Sequence, residues 1–165
     1  MLGFLKEYGN TPFSEMPLCD ADRLIFAQLV YLDISAACGG DALSEALDGA
    51  SFSGEISSEV RFGFQTRDDI KLRDAVCAAQ RYAGIKLYDF TRICNEDTTF
   101  AAMTLSMPDG LRLIVFRGTD NSLAGWKEDF DLAYRTEIPS HKFAMDYALR
   151  WPLSLQSTRS KRVEC

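Results

Sequence analysis

The first half of the chain has the apolar spacing of amphipathic helices. Apolar residues recur at helical intervals over 20–33 and again over 66–83. Asp20 is a good N-cap for the first of these segments, and Gly84 is placed to end the second. Shorter helices are predicted over about 1–8 and 41–49. The N-terminal region is therefore expected to be helical.

The second half of the chain changes to the pattern of strands. Residues 85–94 are rich in aromatic and β-branched types, and residues 99–107 alternate, with Ala101, Met103, Leu105 and Met107 on one side. Pro108-Asp109-Gly110 is a strong hairpin turn. The run 111–117 that follows it is apolar on both faces, as a central strand covered on both sides would be. Three consecutive strands, mostly linked by hairpins, are expected.

Helical spacing returns after the third predicted strand. A turn over 117–122 leads into a helix with one apolar face, formed by Leu123, Trp126, Phe130 and Ala133. A last helix is predicted from Ser140, its N-cap, to Trp151, and Pro152 would end it. The expected fold class is α/β, with a helical N-terminal region and then three strands flanked by helices.

Composition narrows the classes of function. The chain has 165 residues, which is room for one domain, and 47% of them are hydrophobic, so it should bury a core. Its formal net charge is −6 and it has no basic patch before its last residues, so nucleic acid is an unexpected partner. Neither a Walker A motif nor a Rossmann glycine pattern is present, and we expect no cofactor.

The sequence also indicates the cellular compartment of the protein. The N-terminus lacks the pattern of a signal peptide, and no stretch has the apolar length needed to cross a bilayer. The five cysteines are scattered without a C-x-x-C pair, as in a protein with reduced thiols. A cytoplasmic protein is expected.

The chemically informative segment is 111–130, LRLIVFRGTDNSLAGWKEDF. Its pattern predicts a buried strand that is followed by a glycine-containing turn and then by the start of a helix. Backbone N–H groups in such a turn are not used by the sheet, and the helix dipole adds positive potential there. A turn of this kind can stabilise a negatively charged oxygen, including an oxyanion that develops during a reaction.

This segment resembles a known signature. The run Val115 to Asp120, followed by Gly125-Trp126 and Asp129-Phe130, is similar to the F-R-G-[ST] … W-x-x-D-[LF] pattern of class 3 lipases. It resembles more closely an uncharacterised bacterial family of lipase-like α/β-hydrolases. Tyr31-Leu32-Asp33 and Phe100-Ala101-Ala102 match further stretches of that family. The resemblance covers roughly residues 1–150, and it implies the N-terminal portion of an α/β-hydrolase fold.

The resemblance implies roles for particular residues. Thr119 would supply an oxyanion-hole donor through its backbone N–H, and Gly118 would let the backbone turn tightly. Arg117 and Asp120 complete the bend. Trp126 and Asp129 match the helix that follows, where packing and solvation are the simpler explanations for them.

The family's catalytic serine has no counterpart in the sequence. No G-x-S-x-G motif occurs in the 165 residues, and residues 151–165, WPLSLQSTRSKRVEC, contain neither an apolar strand nor a glycine. The later acid and histidine of the triad are also missing. We therefore expect residues 1–150 to form a partial hydrolase domain and residues 151–165 to be an atypical tail.

Other catalytic or metal-binding groups are poorly supported. His141 is the single histidine and is expected to be exposed in the first turn of a helix. A pair of His141 with Cys77 or Cys94 stays open, although Cys77 lies on or beside an apolar helix face, where thiols are usually inert. Spaced metal-ligand pairs are absent, so no metal site is expected.

Two hypotheses of function remain. The first is a lipase- or esterase-like serine hydrolase that acts on acyl esters or lipids, truncated before its nucleophile and inactive alone. It would leave the central strand 111–117 without its next parallel neighbour, and such an unpaired apolar sheet edge predicts self-association or a partner that covers it. The second is a non-catalytic scaffold or interaction module derived from a hydrolase, which predicts a cooperatively folded protein.

Overall fold

A computed structural model describes residues 1–50, 66–94, 99–118 and 139–151 of the protein. Within these ranges the helices and strands follow in the order α1 (Leu2–Tyr8), α2 (Asp20–Leu29), α3 (Leu43–Asp48), α4 (Thr66–Ala78), β1 (Lys86–Cys94), β2 (Thr99–Ser106), β3 (Arg112–Phe116) and α5 (Pro139–Leu149). A 3-10 turn, Gln80–Tyr82, connects α4 to β1. The protein is thus a mixed α/β structure, and the three predicted strands are confirmed to within one residue at each end.

The three strands form an antiparallel sheet in the order β1-β2-β3. Strands β1 and β2 pair from Lys86↔Ser106 to Cys94↔Thr99, and β2 and β3 pair from Ala102↔Phe116 to Ser106↔Arg112. Residues 111–117 were expected to be a central strand that lacks its next parallel neighbour in this chain. Consecutive antiparallel pairing places β2 in the middle, and β3 has β2 as its one described neighbour.

A tight turn connects β2 to β3. The N–H of Gly110 donates to the carbonyl of Met107 at 2.9 Å, and the N–H of Met107 donates to the carbonyl of Leu111 at 2.8 Å. Gly110 has a φ of +85°, which a side chain would disfavour. The turn predicted at Pro108-Asp109-Gly110 is therefore confirmed, with glycine at the position that needs positive φ.

The sheet is covered on both faces. One face packs into the main core with helices α2, α3 and α4, through Ala101, Met103 and Leu105 of β2. The opposite face carries Phe100 and Ala102, which pack against Tyr147 of α5. Because strand residues alternate between faces, the apolar character of β3 on both sides reflects these two layers. Leu113 and Val115 contribute to the first layer, and Ile114 and Phe116 contribute to the second.

Helix α2 differs from its prediction at both ends. Its N-cap is Cys19 rather than Asp20, because the Asp22 carboxylate accepts a hydrogen bond from the Cys19 N–H at 2.9 Å. The helix ends at Leu29 rather than near residue 33. Beyond that point the N–H groups of Tyr31 and Leu32 bond three residues back, to the carbonyls of Gln28 and Leu29. This tight turn leads the chain away from the helix axis.

Two later helix boundaries also differ from their predictions. Helix α4 ends at Ala78, well before Gly84, and the 3-10 turn occupies most of the intervening chain. Helix α5 starts with Pro139, so Ser140 lies inside the helix and is not its N-cap. On the inward side of α5, Tyr147 is buried, and Ala144 and Trp151 pack beside it.

A buried ion pair fastens the N-terminal segment to the 3-10 turn. Arg81 binds both carboxylate oxygens of Asp22, at 2.8 and 2.7 Å, and both side chains are fully buried. The same guanidinium donates to the carbonyls of Thr11, Met16 and Pro17, and Tyr82 donates to Asp22 at 2.8 Å. Every N–H of the guanidinium has an acceptor, which is the condition under which a buried charge is tolerated.

Candidate functional site

The candidate site begins where hydrogen bonding within the sheet ends. The N–H of Arg117 donates to the carbonyl of Ala101 at 2.8 Å and so continues the pairing of β3 with β2. Gly118, the next residue, is exposed. The Arg117 amide is therefore occupied, and a backbone donor for a ligand has to come from beyond it.

Tyr31 contacts this bend from the turn that follows α2. Its hydroxyl donates to the Gly118 carbonyl oxygen at 3.1 Å. The guanidinium carbon of Arg117 lies 5.6 Å from the centroid of the Tyr31 ring, within the range of a cation–π contact. A Cβ atom at Gly118 would lie 3.2 Å from the Tyr31 hydroxyl, so a side chain there would crowd it. Tyr31 thus contacts both Arg117 and Gly118, the first two residues of the bend.

The segment that carries Tyr31 is held firmly on its inner side. Val30, Leu32 and Ile34 are all buried, with 1–3% of their surface exposed. Tyr31 is half-buried and packs against the outer side of this core, and Asp33 is half-buried as well. The anchored backbone gives Tyr31 a fixed base from which to reach Gly118.

Asp33 fastens the same segment to the sheet. One of its carboxylate oxygens lies 3.2 Å from Arg92 of β1, and the other accepts hydrogen bonds from the N–H and hydroxyl of Ser35. Burial alone would raise the pKa of Asp33, but the Ser35 hydrogen bonds and the Arg92 charge outweigh it and hold that pKa below its ordinary value. Arg92 stands opposite Ala101, whose carbonyl accepts from Arg117.

The structure therefore brings together three stretches that are far apart in sequence. Residues 31–33, the start of β2 at 100–102, and the Arg117–Gly118 bend meet at one end of the sheet. All three stretches carry residues that resemble the lipase-like family, but the contact of Tyr31 with Gly118 was not predicted. No pattern in the sequence around Tyr31 indicates this contact, because its partner is 87 residues away.

Similarity to a protein family covers this part of the chain. A family model described as Mbeg1-like matches residues 76–152. The match is just under half of the chain, and it extends from within α4 to just beyond α5, so it includes the whole sheet and the bend. No curated protein matches the chain, and no solved structure does.

Most of the other predicted site residues lie outside the described part of the chain. These are Thr119, Asp120, Trp126 and Asp129, together with the helix predicted around them and the tail from Pro152 onward. Their roles stay predictions. Of the residues assigned to the bend, Gly118 is exposed as a turn residue should be, and Arg117 is half-buried beside Tyr31.

The residues considered for other chemistry have ordinary surroundings. His141 is exposed in the first turn of α5, as predicted. The Cys77 thiol is half-buried, and burial raises its pKa, which keeps it protonated and unreactive. In the described ranges no group of three or more His, Cys, Asp or Glu side chains could hold a metal ion. None of the helices described there is long and apolar enough to span a membrane.

Proposed function

We propose that this protein carries the oxyanion-stabilising part of a lipase-like α/β-hydrolase that acts on acyl esters. In this proposal β1–β3 and their two covering layers are the N-terminal portion of that fold. The bend after β3 presents a backbone N–H, that of Thr119, to the negative oxygen that forms when an ester carbonyl is attacked.

The position of the bend is the observation that carries the proposal. Sheet hydrogen bonding ends at the Arg117 amide, and the chain emerges at the surface at Gly118. The N–H groups of Gly118 and then Thr119 come next in the sequence, after a strand that is fixed by β2 and by packing on both faces. A donor fixed in this way needs no reorganisation as charge develops, which is the condition for oxyanion stabilisation.

A cationic side chain also lies beside the bend. The guanidinium of Arg117 lies over the Tyr31 ring and is half-buried beside Gly118. The chain as a whole has a formal charge of −6, so this local positive group is set against an acidic background.

Chemistry beyond oxyanion stabilisation needs a nucleophile that these 165 residues lack. No G-x-S-x-G motif is present, so we expect no triad-dependent ester hydrolysis by this chain on its own. Incubation with short-chain aryl esters should give the buffer rate. Turnover well above that rate, abolished by a serine-reactive fluorophosphonate, would contradict this part of the proposal.

The oxyanion donor itself can be tested by binding. Butylphosphonate is a tetrahedral oxyanion with a short acyl-like chain. Because one such donor contributes about 3–4 kcal/mol to a transition state, we expect a dissociation constant on the order of millimolar. In residue-resolved amide NMR spectra, saturable shifts should centre on Gly118, Thr119 and Asp120. Shifts spread over surface arginines and lysines, with none at the bend, would reject the proposal.

A scaffold without catalysis is the second candidate, and the buried ion pair favours it. All donors of Arg81 are satisfied and both sheet faces are covered, features that support a cooperatively folded unit whatever its chemistry. The phosphonate titration distinguishes the two, because a scaffold would melt cooperatively without binding the anion at the bend.

A further inference from the structure

Tyr88, Arg112 and Trp151 form a partly exposed cluster at the end of the sheet away from the bend. The centroids of the two aromatic rings lie 4.8 Å apart, and the rings are nearly perpendicular, at 86°. The guanidinium carbon of Arg112 lies 4.5 Å from the Tyr88 centroid and 5.7 Å from that of Trp151. Both distances are within the range of cation–π contacts. We call these three residues the arginine–aromatic cluster.

A β-bulge places Tyr88 in this cluster. The register of β1 with β2 shifts between Leu87 and Asp89, so Tyr88 is an extra residue without a partner on β2. The loop before α3 packs against the bulge, because the N–H of Gly40 donates to the Leu87 carbonyl at 2.8 Å. A Cβ atom at Gly39 would lie 2.8 Å from the Tyr88 carbonyl oxygen, so this close approach needs a glycine. The backbone that carries the Tyr88 ring is therefore held in place.

The guanidinium of Arg112 is held by the two rings, but it forms no hydrogen bond or ion pair with any residue that the structure describes. Asp109, three residues earlier, accepts a hydrogen bond from the Leu111 N–H at 3.0 Å instead. A guanidinium over an aromatic ring keeps its N–H donors in its own plane, where a carboxylate can accept two of them. The exposed Arg112 side chain is therefore oriented while its donors stay available.

Lys86 adds a second positive charge on the same face of the sheet. It stands opposite Ser106 in the pairing of β1 with β2, and Ser106 stands opposite Arg112 in the pairing of β2 with β3. Since neighbouring strands are about 4.8 Å apart, the Cα atoms of Lys86 and Arg112 are about 10 Å apart, on either side of Ser106. Lys86 is exposed and, like Arg112, has no ion-pair partner in the described ranges.

We propose that Lys86, Ser106 and the arginine–aromatic cluster bind an acidic peptide segment of a partner protein. Charge complementarity carries this proposal, which does not depend on the oxyanion donor. Two cations without a counter-charge lie on one face of a chain whose formal net charge is −6. Carboxylates two residues apart on an extended segment are separated by about 7 Å, so flexible side chains can bring one to each cation. The negative net charge opposes binding to a nucleic acid or an anionic membrane.

The composition of the arginine–aromatic cluster also suits a protein partner. Tyrosine, tryptophan and arginine are the residue types that contribute most to binding at protein interfaces. An arginine that is already oriented by two rings loses less side-chain freedom when it binds a carboxylate. The cluster therefore provides a prepared contact beside the Lys86–Ser106–Arg112 row.

The probe is a fluorescein-labelled octapeptide of four Glu-Ser repeats, whose carboxylates are two residues apart. Fluorescence anisotropy at low ionic strength should show saturable binding, with a dissociation constant on the order of 0.1 mM. Arg112→Gln and Lys86→Gln should each weaken binding about tenfold, the size of one hydrogen bond between charged groups. Arg112→Lys keeps the charge but loses the planar fork, and it should weaken binding about threefold.

Arg23→Gln is the matched control, because it removes the same charge from an exposed arginine of α2 that pairs with Asp20. It should change peptide binding by less than about twofold. The substituted side chains are all exposed, so the variants should melt like the native protein. A neutral octapeptide of four Gln-Ser repeats should not bind.

Four results would overturn the proposal. They are failure of the native protein to bind the Glu-Ser peptide, equal binding of the Gln-Ser peptide, and equal peptide affinity of Arg112→Gln and Arg23→Gln. The fourth is a different occupant of the same surface. Binding to vesicles of phosphatidylserine and phosphatidylcholine that Arg112→Gln abolishes would identify a membrane contact, and a dimer that Arg112→Gln dissociates in size-exclusion chromatography would identify a second copy of the chain.

Discussion

Asp22→Asn is expected to lower the free energy of unfolding by about 3–5 kcal/mol, which corresponds to a fall of about 10 °C or more in melting temperature. The variant keeps the shape of the side chain but leaves the Arg81 guanidinium buried without its counter-charge. It also weakens the acceptor that serves Tyr82 and the Cys19 N–H. Urea denaturation monitored by circular dichroism measures the difference.

Asp20→Asn is the matched control, because it makes the same chemical change in the same helical turn. Asp20 pairs with Arg23 at 2.6 Å, but its side chain is 95% exposed. An ion pair in water contributes little, so the control should change stability by less than about 1 kcal/mol. Equal effects of the two substitutions would show that the buried pair does not stabilise the fold as described.

The same pair predicts a pH dependence with a definite sign. Burial alone would raise the pKa of Asp22, but hydrogen bonds from Arg81, Cys19 and Tyr82 outweigh it and hold that pKa below its ordinary value. A carboxylate with a lowered pKa contributes stability that is present above its unfolded pKa of about 3.9 and is lost as the pH falls through the lower folded value. The stability difference between the native protein and Asp22→Asn should therefore be full at neutral pH and narrow in acid. A difference that stays constant to the acid limit of folding would contradict this assignment.

Tyr147→Ala has the second large expected effect, a loss of about 3–5 kcal/mol in the free energy of unfolding. The tyrosine is buried on the second face of the sheet, where its ring contacts Phe116 at 6.1 Å between centroids. Its hydroxyl also lies 2.9 Å from the Thr104 hydroxyl. Removing it takes away the centre of the contact between α5 and β2, which thermal and urea denaturation should detect.

Two further variants on α5 show how much of the stability loss of Tyr147→Ala comes from the packing of its ring. Tyr147→Phe keeps the ring and loses the contacts of the hydroxyl with Thr104 and with the Asp89 carbonyl, so it should cost about 1–2 kcal/mol. Leu149→Ala changes a side chain that is 74% exposed and should be within about 0.5 kcal/mol of the native protein. If Tyr147→Ala is no worse than Leu149→Ala, α5 does not cover the second face of the sheet.

The strands could be predicted from sequence because their signals are local. Alternating apolar residues in β2 and the Pro-Asp-Gly turn after it depend on neighbours a few positions apart. The apolar residues on both faces of β3 indicated coverage by two layers, which the structure confirms, but they do not indicate which strands pair with it. The apolar pattern of a strand indicates which of its faces are buried. The order of the strands depends instead on which segments pair, and the pattern does not show this.

The ends of α2 and the candidate site depend on partners far along the chain. Asp22 adopts its position through Arg81, 59 residues away, and Tyr31 meets Gly118, 87 residues away. Neither contact can be recognised from the pattern of apolar and polar residues close to it in the sequence. The bend after β3 could be proposed from its motif. Tyr31, which donates a hydrogen bond to the Gly118 carbonyl in that bend, could be identified only from the structure.

The most direct test of the oxyanion donor is to remove the N–H itself. Thr119→Pro eliminates that backbone donor, whereas Thr119→Ala keeps it and removes only the side-chain hydroxyl. Amide spectra should first confirm that both variants keep the β1–β3 sheet. In the butylphosphonate titration we predict that the alanine variant binds like the native protein and that the proline variant loses the saturable shifts at the bend. Equal binding by the two variants would contradict the account.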